Sequence, residues 1–147
     1  MVQAARSGVQ NIAEGSVDAA TSTKLEINLY NVARASLVEL QLDYRDYLRQ
    51  HQEPEWDKNS LLYQNFVKHR ISTAEEFRNF IRWAEKQPAP SVKIRSIPYK
   101  SVLVANGTLL LINTAVYFLT RQIQSKAKKF MCDGGFSERM YKLRNKR

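Results

Sequence analysis

The chain has 147 residues, is 44% hydrophobic and carries a formal net charge of +9, which supplies one core of moderate size. Five glycines and four prolines exclude a turn-rich β protein and predict long helices. The single cysteine, Cys132, excludes an intramolecular disulfide framework and fits a reducing, cytoplasmic compartment, and no secretory leader is expected.

Val2, Ala5, Val9, Ile12 and Ala13 recur at three- and four-residue spacing and predict a first helix stopped by Gly15. A polar loop is expected over 16–22. Thr23 and Glu26 have the spacing of a capping box and open a long second helix. Its apolar face is Tyr30, Ala33, Leu37, Leu40, Tyr44 and Tyr47, widened by Leu25, Leu29, Val32 and Ser36, and it runs to about Gln50, ahead of Pro54. Two further helices are expected between Trp56 and Gln87. One is a short apolar segment containing Leu61, Leu62, Tyr63, Phe66 and Val67. The other follows a capping box of Ser72 with Glu75 or Thr73 with Glu76, and carries Phe77, Phe80, Ile81 and Ala84 inward. Arg78, Arg82 and Lys86 repeat every four residues on its solvent side and form one basic edge.

Pro88, Pro90 and Pro98 predict an extended linker over 87–98 with Lys93 and Arg95 exposed. Residues 101–120 then contain no charge. Ser101, Asn106, Thr108, Asn113, Thr114 and Thr120 weigh against a membrane span and for a helix buried on most sides of a bundle or oligomer. Asn106, Asn113 and Thr120 lie seven apart on one face. They are either buried groups that fix helix alignment and oligomeric state or a stripe facing solvent. The helix is expected to end over 124–132, where Lys126, Lys128 and Lys129 suit the negative end of its dipole, and Gly134-Gly135 breaks it. Ser137 and Glu138 begin a last short helix that docks through Phe136, Met140 and Leu143.

The run Ala4-Ala-Arg-Ser7 followed by Asn11-Ile-Ala-Glu-Gly15 resembles the signature of small bacterial four-helix bundle proteins found in intervening sequences of large ribosomal RNA genes. Relatives of that family include accessory proteins of diversity-generating retroelements. The Ala, Ser and Glu of Val32-Ala-Arg-Ala-Ser-Leu-Val-Glu-Leu40 sit at a similar spacing. Arg121-Gln122-Ile123, Phe130, Gly134-Gly135-Phe136 and Glu138-Arg139 resemble the C-terminal suffix of one branch. The resemblance implies an all-α, antiparallel (up-and-down) helical bundle over 1–132 and a basic helical suffix over 133–147. It further implies a ring-shaped homo-oligomer, a pentamer, and RNA as partner in company with a reverse transcriptase or ribosomal RNA. The family's bundle has a further helix before the segment that opens this chain. That helix is expected to be lost to a start set at an internal Met, supplied by a neighbouring chain, or replaced by the helices at 57–87.

Charge is unevenly placed: the net is −3 over residues 1–67, +5 over 68–120 and +7 over 121–147. A basic half joined to a mildly acidic half is the footprint of a phosphate-binding surface. Arg78, Arg82, Lys86, Arg121, Lys126, Lys128, Lys129, Arg139, Lys142, Arg144, Lys146 and Arg147 are expected to carry it. Tyr99, Tyr117, Phe118, Phe130, Phe136 and Tyr141 lie among these cations, and their helical spacing assigns them to core packing rather than base stacking. The expected function is non-catalytic binding of nucleic acid, RNA above all, through repeated phosphate contacts. A protein-interaction or scaffold oligomer with an acidic partner is the alternative.

Neither an enzyme nor a metal, cofactor or membrane protein is expected. His51 and His69 lack Cys or His partners at metal-ligand spacing, Cys132 has no adjacent His base, and Gly134-Gly135 lacks the Lys-Ser/Thr of a nucleotide loop. Arg6, Asn11, Glu14, Ser36 and Glu39 are expected to form a structural polar network in which Glu14 or Glu39 accepts from Arg6 or Asn11, a partner site being the alternative.

Overall fold

The helical periods of the sequence emerge as five helices in a computed structural model, which describes residues 2–17, 23–88 and 95–133. They are α1 (Val2–Val17), α2 (Thr23–Gln50), α3 (Leu61–His69), α4 (Ala74–Ala84) and α5 (Tyr99–Asp133), and no strand occurs among the described residues. Two compact units result. One contains α1, α2 through Leu40 and α5 from Ile112; the other is Gln41–Leu111. The expected final helix at Ser137 lies outside the described residues, as do Pro90 and Lys93.

In the first unit the apolar face of α2 is buried as its spacing requires. Tyr30 and Ala33 close on Leu119 and Ile123 of α5, with Ile27 and Leu37 at the margin. Glu26 is buried in the same interface, and its carboxylate is paired with the Lys126 ammonium, which also lies 5.7 Å from the Tyr30 ring centroid. A carboxylate taken out of water needs such a partner. The expected Thr23–Glu26 capping box therefore does not form: Thr23 is already the first helical residue, and the Glu26 side chain is turned to α5.

Small residues set the approach of α1 to α2. Gly8 is buried, with half-buried Ala4, Ala5, Ser7 and Asn11 around it, whereas Val2 and Val9 are 69% exposed. The larger apolar residues of α1 thus do not make this contact. The helix also continues past Gly15 to Val17. Glycine inside a helix costs about 1 kcal/mol relative to alanine, which is too little to end a helix by itself.

In the second unit local signals fix α3 and α4. The Ser60 hydroxyl accepts from the Tyr63 N–H at the start of α3, and Arg70 ends it in the left-handed region at φ 46°. At the start of α4 Thr73 Oγ1 accepts from the Glu76 N–H at 3.1 Å, while Glu76 Oε2 accepts from the Thr73 and Ser72 N–H groups at 3.0 and 2.8 Å. Of the two capping boxes the sequence allows, Thr73 with Glu76 is the one formed.

These helices bury Leu62, Phe66, Phe80, Ile81 and Ala84 against Leu103 of α5. Phe66 and Phe80 meet edge to face at 5.0 Å, a geometry that the aromatic quadrupole favours. Val102, Ala105 and Leu109 belong to a second cluster with Leu48 of α2. Helix α5 is thus covered on two sides over 102–109, a stretch that carries no charge. By composition and length α5 would also suffice to cross a membrane, and Val102, Leu103, Ala105 and Leu109 are the members of it that build these cores.

Asn106 sits between the two clusters, 2% exposed. Its Oδ1 accepts from the Trp56 N–H at 2.8 Å, and its Nδ2 donates to the carbonyls of Val102 and Pro54 at 3.1 and 3.3 Å. It therefore pins the 51–60 connection within its own unit: of the two readings open for the stripe, burial holds for Asn106 and exposure to solvent does not. Asn113 is half-buried, and Thr120 donates its hydroxyl to the Val116 carbonyl at 2.7 Å.

Arg95 is not exposed as the proline-rich linker suggests. Its Nε stands 3.1 Å from Glu53 Oε1 with side-chain exposures of 15% and 3%, an ion pair whose N–H is not aligned for a hydrogen bond. The guanidinium also lies 4.6 Å from the Tyr99 ring centroid. A cation so placed anchors the chain on its return from the linker.

Two glycine substitutions should act in opposite directions. A Cβ at Gly8 would meet Leu37 at 3.5 Å in ordinary contact, so Gly8→Ala should stabilise by about 0.5–1 kcal/mol through helix propensity. A Cβ at Gly107 would stand 2.8 Å from Phe77 Cε2 and 3.2 Å from Phe66 Cε2, so Gly107→Ala should destabilise by about 1–3 kcal/mol. Shifts of the same sign in the urea midpoint would contradict this packing.

The Glu53–Arg95 pair gives a separate expectation. Glu53→Gln leaves a largely buried guanidinium unpaired and should cost about 3–5 kcal/mol, much of which Arg95→Met should restore in the double variant. Additive losses in the cycle would show that the two groups do not depend on each other.

Candidate nucleic-acid interface

The cations predicted on α4 are presented along one exposed edge, but they are not equivalent. Arg78 Nη2 is bound to Glu75 Oε2 at 2.7 Å, so its charge is largely matched. Arg82 Nη1 donates to Asn79 Oδ1 at 3.2 Å, a neutral acceptor, and keeps its full charge. Lys86 is exposed just beyond the helix. Acids occupy the first turn of α4 and Arg82 the last, an order that complements the helix dipole.

The cations of α5 separate more sharply. Lys126 is 30% exposed and committed to buried Glu26, so it holds α2 to α5. Lys128 and Lys129 are exposed. Arg121 Nη1 donates to the Tyr117 hydroxyl at 2.9 Å, and its guanidinium stands 5.8 Å from the Tyr117 ring centroid. Tyr117 is 54% and Phe118 63% exposed, their rings meeting edge-on at 5.5 Å. The expectation that these two aromatics pack in a core is therefore wrong: Leu119 and Ile123 occupy the buried face, and Tyr117 and Phe118 fall on the other side of the turn. Phe130 and Tyr99 are half-buried. Arg139, Lys142, Arg144, Lys146 and Arg147, with Phe136 and Tyr141, lie outside the described residues.

Comparison with known protein families, characterised proteins and solved structures finds no match.

The polar group expected between α1 and α2 is differently made. Asn11 Nδ2 donates to the Ser7 carbonyl at 2.8 Å and to Ser7 Oγ at 3.2 Å, and Ser36 Oγ lies 3.3 Å from Ser7 Oγ. Ser7 is the missing centre, and small hydroxyls suit a contact set by Gly8. Glu14 instead accepts from Gln10 at 2.8 Å on the exposed side, and Arg6 and Glu39 are exposed too. Carboxylates on long side chains reach water more cheaply than they fit this narrow interface.

The two histidines serve local ends. His69 Nδ1 lies 2.7 Å from the Asn65 carbonyl, and His51 Nδ1 lies 3.0 Å from Ser96 Oγ. No group of three or more metal-ligating side chains is found among the described residues.

Hydrogen bonds from the Ser72 and Thr73 backbone hold the Glu76 carboxyl below its ordinary range, and Arg78 does the same to Glu75. A depressed folded-state pKa gives stability that is fully present above the unfolded value, about 4.3 for Glu, and is lost as pH falls through the lower folded value. The start of α4 should therefore be insensitive to pH near neutrality and weaken below about pH 4. Glu76→Gln keeps a capping acceptor but cannot titrate, so it should flatten the acid limb of stability against pH. An identical acid limb in both proteins would show that the capping carboxylate is not linked to folding.

Proposed function

We propose that this protein is a non-catalytic nucleic-acid-binding protein whose preferred ligand is RNA. One observation carries the reading: α5 exposes an aromatic–cation surface, Arg121 braced on Tyr117 with Phe118 beside it and Lys128 and Lys129 further along. The chain then adds Arg139, Lys142, Arg144, Lys146 and Arg147 over its last residues. Guanidinium and ammonium groups neutralise phosphates, and exposed rings offer stacking faces that tolerate any base. The basic edge of α4, Arg82 and Lys86 above all, is a second set of phosphate contacts. These contacts position a ligand and read little sequence.

The resemblance of the helix signatures to the intervening-sequence and retroelement accessory proteins supports the same reading. It adds an up-and-down bundle, a pentameric ring, and a cytoplasmic role beside a reverse transcriptase or ribosomal RNA. A ring would repeat each weak basic surface about an axis, and affinity would then build through effective concentration. Exposed Val2, Val9 and Ile12 on α1 favour a second reading, an interaction scaffold that docks protein rather than RNA.

For structured RNA, log affinity should fall linearly with log salt, with a slope of about 0.7–0.9 per phosphate neutralised. The Lys128→Gln/Lys129→Gln double variant should reduce that slope by about one to two units. A flat salt dependence, or no retention of RNA at low salt, would overturn the proposal. A protein partner that survives ribonuclease and depends on residues after Cys132 would favour the scaffold.

A further inference from the structure

Between α3 and α4 lies a cleft of about 450 Å3, inside the usual range for small-molecule sites. Ile71, Phe80 and Trp83 form its apolar wall; Asn65, His69, Asn79 and Glu76 supply its polar groups. The arrangement follows from helical spacing. Glu76, Asn79, Phe80 and Trp83 lie at successive steps of three and four on α4, and Asn65 and His69 lie four apart on α3.

The polar atoms left over define what can enter. His69 Nδ1 is engaged by the Asn65 carbonyl, so in the tautomer that donates there Nε2 is an acceptor. Asn79 gives its Oδ1 to Arg82, leaving the Nδ2 donor. Glu76 contributes a carboxylate whose Oε2 caps α4. That negative charge repels a phosphate and welcomes an amine. A saturated apolar ligand would bury these groups unpaired, which is costly. A flat heterocycle with ring acceptors and an exocyclic amine meets all of them, and Arg82 stands at the edge for an attached phosphate.

We infer that this cleft receives an unpaired, amino-bearing nucleobase of RNA, cytosine, adenine or guanine, against Trp83 with its amine toward Glu76. Uracil, which has no exocyclic amine, is discriminated against. The inference rests on the RNA reading above and adds base selection to a surface that otherwise contacts phosphates.

The test is anisotropy of labelled oligo-C and oligo-U of equal length at low salt. Wild type should bind oligo-C about tenfold more tightly than oligo-U, the discrimination of one good base-edge contact. Trp83→Leu should weaken oligo-C by about 5- to 100-fold and oligo-U far less, since stacking is lost. Trp83 is half-buried, so Asn79→Ala, at an exposed position, provides the second variant; it should shrink the C-to-U ratio with helical content unchanged. Equal binding of the two oligonucleotides with steep salt dependence overturns the cleft assignment and leaves the RNA reading intact. Binding of neither overturns both. Saturable binding of free CMP that leaves oligo-C affinity unchanged overturns the assignment in favour of a nucleotide site.

Discussion

The second unit depends on the burial of α5 from two directions. Leu103 faces the aromatic cluster of α3 and α4, while Val102, Ala105 and Leu109 join the cluster of Leu48. A helix covered on two sides cannot carry a charged side chain without removing it from water. The uncharged residues at 102–109 are the imprint of that geometry on the sequence. It also explains Asn106. One amide can be kept in such a place because three backbone groups satisfy it, and in return it fixes a connection that has no secondary structure of its own.

Close approach is the second constraint, and it is met by omission of atoms. Gly107 exists in α5 because the Phe66 and Phe77 rings lie where its side chain would be. At Gly8 the space is less tight, and the neighbours are Leu37 and the Ala33 carbonyl. Both glycines stand inside helices, where propensity opposes them. Only the partner across the interface distinguishes the necessary one from the permissive one, and sequence periodicity contains no such information.

This is a general reason for what the sequence revealed and what it hid. The five helices of the described residues, the α2 face around Tyr30 and Ala33, the Thr73–Glu76 start of α4 and the burial of the start of α5 are legible, because each is a local pattern or a periodicity. The partners of polar groups are not. Glu26 looked like half of a capping box, yet it is the buried mate of a lysine 100 positions away in sequence. Arg95 looked exposed beside prolines, yet it is folded onto Glu53 and Tyr99. Tyr117 and Phe118 shared the helical spacing of core aromatics, but spacing does not say which of two adjacent faces is covered. Composition counted cations correctly; it could not tell Lys126, which holds two helices together, from Lys128 and Lys129, which face solvent.

Helix α4 shows how stability and the proposed binding surface draw on the same charges. Glu75 and Glu76 occupy its first turn, where the dipole and free N–H groups stabilise anions, and Arg82 occupies its last turn, where the dipole stabilises cations. The same order leaves the first half of the helix mildly acidic, since Glu75 offsets Arg78 and Glu76 remains, and the second half positive. In the proposed function a polyanion would be directed to the end at Arg82 and Lys86, while the carboxylate of Glu76 would keep phosphate out of the neighbouring cleft. Each charge at the helix ends contributes only about 0.3–1 kcal/mol to folding, so selection for the helix alone would tolerate neutral residues at either end. Keeping both ends charged costs folding nothing, because the pattern that would steer phosphate is the one that the helix already favours.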